Sequence, residues 1–312
     1  MQFSLVVPLL NESESLEELY RWIEKSLNEY SFELLFVDDG STDDSWSIIT
    51  ELAKKYDTVK GIRFAQNFGK SQALHAAFSE VQGKYVVTLD ADLQDSPEEI
   101  LPMVALMEEK QWDLISGWKK KRYDSFLFKN LPSRLFNWAA RRVSGINLHD
   151  FNCGLKVYKR EVVQTIEVYG EMHRFIPVLA AQNGFHQMGE KTVQHQARKY
   201  GTSKFGMERF IRGFLDLITL WFLHRFGKHP MHFFGLIGTL MLLLGFGFTA
   251  YLGIDKLFVH TSSSLISDRT EFYIALTTMI LGSQFFIAGF LAELILKGRP
   301  HQGRYTIKST TY

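Results

Sequence analysis

Tyr85-Val86-Val87-Thr88-Leu89-Asp90-Ala91-Asp92-Leu93-Gln94-Asp95 is the stretch that decides the fold. Its first five residues are aromatic, β-branched or aliphatic, which reads as a strand buried on both faces, and the run stops abruptly in acids. The same pattern stands upstream, where Leu34–Val37 runs into Asp38-Asp39-Gly40-Ser41-Thr42-Asp43. Working outward, Phe3–Val7, Val59–Phe64 and Leu114–Ser116 read as further strands, with amphipathic helical segments over 13–30, 44–56, 70–81 and 97–110. Asn11-x-x-Glu14 is a capping pattern for the first helix; Ser96-Pro97-Glu98-Glu99 is an N-cap followed by proline for the fourth. Strands alternating with helices imply an α/β domain with a mainly parallel, Rossmann-like sheet, in which ligands gather at the carboxyl ends of the strands.

One turn rich in Asp and Gly is an ordinary surface feature. Two at the same sheet edge, each directly after a hydrophobic strand, point to a site. Asp90 and Asp92 stand two apart, so one can hold a divalent cation while its neighbour orients a water or a sugar hydroxyl. Mg2+ or Mn2+ suits such oxygen ligands while bridging substrate phosphates, and offsets charge developing on a diphosphate leaving group. No glycine-rich phosphate loop follows the first strand, where Val7-Pro8-Leu9-Leu10-Asn11-Glu12 stands instead, so metal and side chains must hold a nucleoside diphosphate.

The chain has 312 residues, with 35 Lys+Arg against 34 Asp+Glu and a net charge of +1, which argues against a general nucleic-acid binder. With 46% hydrophobic and 22% charged residues it is not a disordered chain. The single cysteine, Cys153, excludes an internal disulfide and a cysteine metal cluster. Residues 231–254 contain no Asp, Glu, Lys or Arg, and 272–296 contain one, Glu293. A helix of the first length reaches ~36 Å, enough for a hydrocarbon core of ~30 Å. Two such segments predict a membrane protein. Residues 196–229 carry seven basic residues and the tail 297–312 four, whereas the loop 255–271 has only Lys256 and Arg269. This bias predicts both termini in the cytoplasm and a short outside loop, in an inner or cytoplasmic membrane. The N-terminus, interrupted by Pro8 and Asn11, does not read as a signal peptide.

Taken together, Val7-Pro8…Asn11-Glu12, Val37-Asp38-Asp39-Gly40-Ser41-Thr42, Asn67-Phe68-Gly69-Lys70 and Asp90-Ala91-Asp92-Leu93-Gln94 resemble, in order and spacing, the family 2 glycosyltransferases of the GT-A fold. Within that family the chain resembles the polyprenyl-phosphate glycosyltransferases over roughly residues 3–230, and its paired C-terminal helices match one branch of them. The resemblance implies that Pro8, Asn11, Glu12, Asp38, Asp39 and Lys70 line the nucleotide-sugar pocket, and that Asp90, Asp92 and Gln94 organise metal and donor diphosphate. It also implies that Arg198 and Lys204 close over phosphates, that Asp150 matches a position often proposed as catalytic base, and that Lys119 can pair with a phosphate. Uridine and guanosine donors, that is a UDP- or GDP-sugar, both stay open.

The acceptor side is read from physics. Residues 117–142 hold eight basic residues, among them Lys119, Arg122 and Arg134, interleaved with Phe126, Phe128, Phe136 and Trp138. Beside membrane helices, such a segment reads as lying at the headgroup level and capturing the phosphate of a lipid whose tail stays in the lipid bilayer. A lipid monophosphate is largely anionic at neutral pH, its second pKa being roughly 6, so Asp150 is expected to orient more than to remove a proton. The expected organisation is a cytoplasmic catalytic domain over 1–200, amphipathic interfacial helices over 201–229, and a membrane part over 230–312. The expected reaction is inverting transfer of a hexose-like sugar from a nucleotide to polyprenyl phosphate. A diacylglycerol or growing-glycan acceptor, or a non-catalytic membrane scaffold, are the competing classes; a homo-oligomer is left open.

Overall fold

The computed structural model describes residues 1–120, 137–200 except 139, 143, 169, 171, 197 and 198, then 215, 218, 219, 222, 225 and 226, and finally 229–259 and 265–298. It divides into two compact units, one within Met1–Leu220 and one within Trp221–Arg304.

The first unit is built on a seven-stranded sheet in the order β3-β2-β1-β4-β6-β5-β7. The strands are β1 Phe3–Leu9, β2 Phe32–Asp38, β3 Val59–Arg63, β4 Tyr85–Thr88, β5 Leu114–Trp118, β6 Lys156–Lys159 and β7 Met188–Thr192. The helices α1 Leu16–Ser26, α2 Ser45–Lys55, α3 Lys70–Glu80 and α4 Ile100–Glu109 form the connections between the first five strands. Every residue of β1, β2 and β4 is buried, as near-continuous apolar runs require of strands covered on both faces. Helix α1 turns Leu16, Leu19, Tyr20 and Ile23 inward, one face of a 3.6-residue period.

The chain steps outward from β1 to β2 to β3 and then returns to place β4 on the other side of β1. That reversal is the switch point at which open α/β sheets bind ligands. Pro8 marks it. The ladder between β1 and β4 ends at Val6 opposite Thr88, so the proline's missing N–H falls beyond the last bond and the two strand ends part.

One expectation needs correcting, two strands went unread, and the Ser96 cap of the fourth helical segment stands. Asn11 caps no helix: it sits at φ 54°, and α1 begins only at Leu16. Its side chain instead accepts the Thr42 N–H at 2.8 Å, tying the β1 loop to the β2 loop. The sheet also contains two strands that the sequence pattern did not reveal, β6 and β7. Strand β6, Lys-Val-Tyr-Lys, runs antiparallel between β4 and β5, and its flanking lysines break any apolar run. The fourth helical segment is a capped 3-10 turn, Pro97–Glu99, leading into α4, with Ser96 Oγ accepting the Glu98 N–H at 3.3 Å.

The second unit is an antiparallel pair of helices, Pro230–Ile254 and Thr270–Gly298. Both are long and apolar enough to cross a membrane, with mean hydropathies of 2.0 and 1.8 over their candidate spans. A Cβ on Gly238 would lie 2.7 Å from the Gly282 carbonyl, and one on Gly245 2.8 Å from the Ala275 carbonyl. Backbone contact through small residues is how helices associate when both solvent and core are apolar. The outward face is apolar and exposed, including Leu236, Leu243, Phe246 and Phe290. Arg269 clasps Asp255 at 2.8 Å where the helices are joined. Glu293 faces His229, Nδ1 to Oε1 3.9 Å; the side chain of Lys297, its expected partner, lies outside the described residues, as do most of 201–229.

Candidate active site

The tip of β2 is folded back on itself. Asp38 is fully buried and accepts the Ser41 N–H at 2.8 Å, with Arg63 Nε 3.4 Å from its other oxygen. Gly40 makes this turn possible at φ 78°, and a Cβ there would lie 2.6 Å from the Gln66 carbonyl carbon. The Asn11 N–H reaches Ser41 Oγ at 2.9 Å and the Glu12 N–H reaches Ser45 Oγ at 3.1 Å, so the β1 and β2 loops close as a zipper.

Asp39 carries the connection onward. Its carboxylate accepts the N–H groups of Phe68 at 2.7 Å and Gly69 at 2.9 Å. Burial raises its carboxyl pKa above the ordinary value; those two bonds oppose the shift and the charge of Asp38 adds to it. By holding Gly69, Asp39 sets where α3 begins, and Lys70, its first residue, bonds the Asp90 carboxylate. The two acidic strand tips are thus joined through a single chain of contacts, Asp39 to Gly69 to Lys70 to Asp90.

Asp90 is gripped from behind as well. A Cβ on Gly154 would lie 2.5 Å from Asp90 Oδ2, so the glycine Cα packs directly on the carboxylate. Thr88 Oγ1 fixes that glycine by donating to its carbonyl at 2.8 Å. Buried Lys156 holds the same turn, donating to the carbonyls of Phe151 and Cys153. Burial works against ionisation of Asp90, yet the ammonium groups of Lys70, Lys119 and Lys156 hold its pKa below the ordinary carboxylate range.

Asp92 is half-buried and accepts the Gln94 N–H at 3.3 Å around Leu93, which is held at φ 58°. Burial, together with the charges of Asp90 and Asp95, pushes its pKa up to about 6. The segment leaving β7 braces this loop: the Gln196 N–H donates to the Gln94 carbonyl at 2.9 Å, and His195 bridges Asp95 in antiparallel fashion.

Several expected site residues are placed differently from their expectation, or not at all. Lys119, expected to pair with a phosphate, has its side chain 12% exposed and its Nζ 2.7 Å from the fully buried Asp95. Asp150 is 1% exposed and its Oδ1 accepts the Asn152 N–H at 3.0 Å, the geometry of a turn-forming rather than a projecting acid. Arg122, Arg134, Arg198 and Lys204 lie outside the described residues. Cys153 is inert; burial first, then the charge of Asp95, pushes its thiol up to about 12. His75 is exposed on α3.

The sequence reading missed a recess between the ends of β1 and β4, lined by Pro8, Lys70, Asp90, Lys156, His173 and Arg174. His173 reaches it from a 3-10 turn, its Nδ1 3.1 Å from Ser71 Oγ. Burial and the neighbouring charges of Lys70 and Arg174 keep that imidazole well below its ordinary pKa, hence neutral. Ser71 and His173 are 102 positions apart, so no local pattern could announce the pair.

A sheet that switches direction between β1 and β4, with an Asp-x-Asp loop at the switch and a second acidic turn beside it, defines a nucleotide-sugar-transferase fold of the GT-A type. The comparisons agree. Residues 4–167 match the family model for Glycosyl transferase family 2, and the chain belongs to that family. It is 34% identical over 305 residues to a dodecaprenyl-phosphate galacturonate synthase of Rhizobium johnstonii, covering 95% of this chain and 88% of the relative. It is 35% identical over 295 residues to an undecaprenyl-phosphate 4-deoxy-4-formamido-L-arabinose transferase of Pseudomonas syringae, covering 94% and 85%. Among solved structures, glucosyl-3-phosphoglycerate synthase of Mycobacterium tuberculosis with Mn2+, UDP-glucose and phosphoglyceric acid shares the fold at TM-score 0.54 and 18% identity. That match covers 72% of this chain and 79% of the other.

Proposed function

We propose that the protein transfers a hexose-like sugar from a nucleoside diphosphate to polyprenyl phosphate at the cytoplasmic face of the membrane, inverting the anomeric centre. The observation that carries this is the linkage of both acidic strand tips at Asp90, in a chain whose full-length relatives act on prenyl phosphates. The two apolar helices supply the anchor, and the basic flanks orient both termini to the cytoplasm.

Asp90, Asp92 and Gln94 offer only oxygen donors on one short loop, and among the described residues no cluster of three His, Cys, Asp or Glu forms a closed metal cage. Two carboxylates with the remaining positions left to phosphate and water is the donor set that Mg2+ or Mn2+ prefers. The crowding of Asp92 by Asp90 and Asp95 is the charge imbalance that such an ion relieves. When bound, it offsets charge on the departing diphosphate.

The chain's own residues do the rest. Asn11, Glu12, Asp38 and Asp39 shape the nucleotide side of the crevice, and Lys70 holds Asp90 in place. The Lys119 ammonium counters Asp95 beneath the acidic loop. Arg122 and Arg134 are assigned to the lipid phosphate, and Arg198 and Lys204 to the donor phosphates. An oxygen of the lipid phosphate forms a bond to the anomeric carbon from the face opposite the diphosphate. The bond from that carbon to the diphosphate breaks, and the nucleoside diphosphate leaves. Because the nucleophile is already anionic, Asp150 shapes the loop and removes no proton.

The test is to offer radiolabelled UDP- and GDP-sugars to the purified full-length chain with undecaprenyl phosphate and Mg2+. Label is expected in the organic phase with one donor class, only when the lipid phosphate is added. Label extracted equally well without it would point to another membrane acceptor.

A further inference from the structure

The segment that leaves β7 is tied down at two places. The first attachment is to the acidic loop after β4. The Gln196 N–H donates to the Gln94 carbonyl at 2.9 Å, and the Gln94 side-chain amide returns a bond to the Gln196 carbonyl at 3.4 Å. Just upstream, the Gln194 N–H donates to Glu99 Oε1 at 3.1 Å.

The second attachment is to α1. Lys199 Nζ lies 2.8 Å from each carboxylate oxygen of Glu18, and the Tyr200 hydroxyl donates to Oε2 of the same carboxylate at 3.1 Å. The Tyr200 ring is half-buried and packs against the hydrophobic core. A lone exposed ion pair contributes little. Here one carboxylate takes three bonds beside a seated ring, and the bond from Lys199 lowers the Glu18 pKa below its ordinary value. Helix α1 does not need this pairing for itself. Its neighbouring acid, Glu17, pairs with Arg21 one turn along the same helix, whereas Glu18 reaches a lysine 181 positions away.

Arg198, assigned above to the donor phosphates, stands in sequence between Gln196 and Lys199. A cation on a segment already held on both sides meets a diphosphate without the entropy cost of ordering that segment first. We propose that Glu18 is a positioning residue for the donor: by clasping Lys199 and Tyr200 it holds the segment after β7 against the Gln94 loop, where the nucleoside diphosphate binds. Glu18 acts through that segment and not on the reacting atoms. The inference rests on the transfer reaction proposed above and concerns its donor side alone.

The test uses the full-length chain in detergent with Mg2+. Equilibrium dialysis with labelled UDP and GDP gives nucleotide affinity, and steady-state transfer to undecaprenyl phosphate gives kcat and both KM values. Glu18→Lys sets like charges together and is expected to raise nucleotide Kd and donor KM at least ~3-fold, with kcat and the KM for lipid phosphate within about twofold of wild type. Adding Lys199→Glu restores the pair with its charges exchanged and is expected to bring both donor constants back to within about twofold. Glu17→Gln, which loses only a pair within α1, is expected to move neither. Nucleotide affinity unchanged in a folded Glu18→Lys variant overturns the proposal. So does a folded double variant that fails to recover affinity, or an equal loss from Glu17→Gln. Nucleotide binding without lipid-linked label overturns instead the transfer reaction, while the clasp is still judged on affinity; a wild type that binds neither nucleotide overturns both.

Discussion

Adding one methyl group at Gly154 tests whether the site depends on how Asp90 is held. The Cβ of a Gly154→Ala variant would stand 2.5 Å from Asp90 Oδ2, 2.6 Å from Cγ and 2.9 Å from Oδ1. Ordinary carbon–oxygen contact needs well over 3 Å, so either the carboxylate or the turn must move by roughly 0.5–1 Å. The turn is poorly placed to yield, because Thr88 holds the Gly154 carbonyl at 2.8 Å and Lys156 holds the carbonyls of Phe151 and Cys153. The carboxylate therefore gives way and loosens its bond to Lys70. Overpacking of this size costs about 1–3 kcal/mol, and for a unit of this length each kcal/mol lowers the melting temperature by about 2–4 °C. The catalytic loss is larger, since a shift of about 1 Å in a positioning group can cost on the order of 100-fold. The assay is sugar transfer to lipid beside Mn2+ affinity followed by electron paramagnetic resonance. Turnover and Mn2+ affinity both within twofold of wild type, in a folded variant, would refute the reasoning.

Three further outcomes follow from the same geometry. Asp92 holds its proton up to about pH 6, more tightly than the unfolded chain, so ionising it costs stability as pH climbs from about 4 to about 6 and no more above that. In metal-free protein Asp92→Asn should melt above wild type at pH 7, with the gap closing towards pH 4, while transfer is severely impaired; a variant no more stable at pH 7 contradicts this. Asp150→Asn keeps an oxygen to accept the Asn152 N–H and should retain most turnover, whereas Asp150→Ala should lose the turn and with it most activity; equal collapse of both would make Asp150 a base. Gly40→Ala places a Cβ 2.6 Å from Gln66 in a backbone at φ 78° and should cost at least about 2 kcal/mol in denaturant unfolding.

The central sheet was readable because buried parallel strands write themselves as apolar runs, and the acids at Asp38, Asp39, Asp90 and Asp92 follow directly from where those runs stop. What stayed hidden depends on long-range pairing. Strand β6 carries Lys156 and Lys159, which a periodicity reading assigns to surface. In the fold Lys156 is buried against carbonyls and Lys159 meets Asp113 at 2.8 Å. Asn11 at φ 54° looks like a helix cap in sequence because Asn and Glu stand three apart; only the proximity of Thr42 shows its other employment. Lys119 reads as a free cation until Asp95, brought beside it by the turn after β4, neutralises it. The reason for a glycine at position 154 is the Asp90 carboxylate, 64 positions away in sequence. The two helices long and apolar enough to cross a membrane were legible, because stretches of that length with a single charge between them suit a hydrocarbon slab better than a soluble core.

Phosphorus counted in the purified lipid product, by mass spectrometry of the organic phase, tests the account most directly. Transfer of a sugar onto a lipid phosphate, with the nucleoside diphosphate leaving, predicts one phosphorus between lipid and sugar. Two phosphorus atoms there would mean that a sugar phosphate was transferred and a nucleoside monophosphate released, and would contradict the reaction proposed for this site.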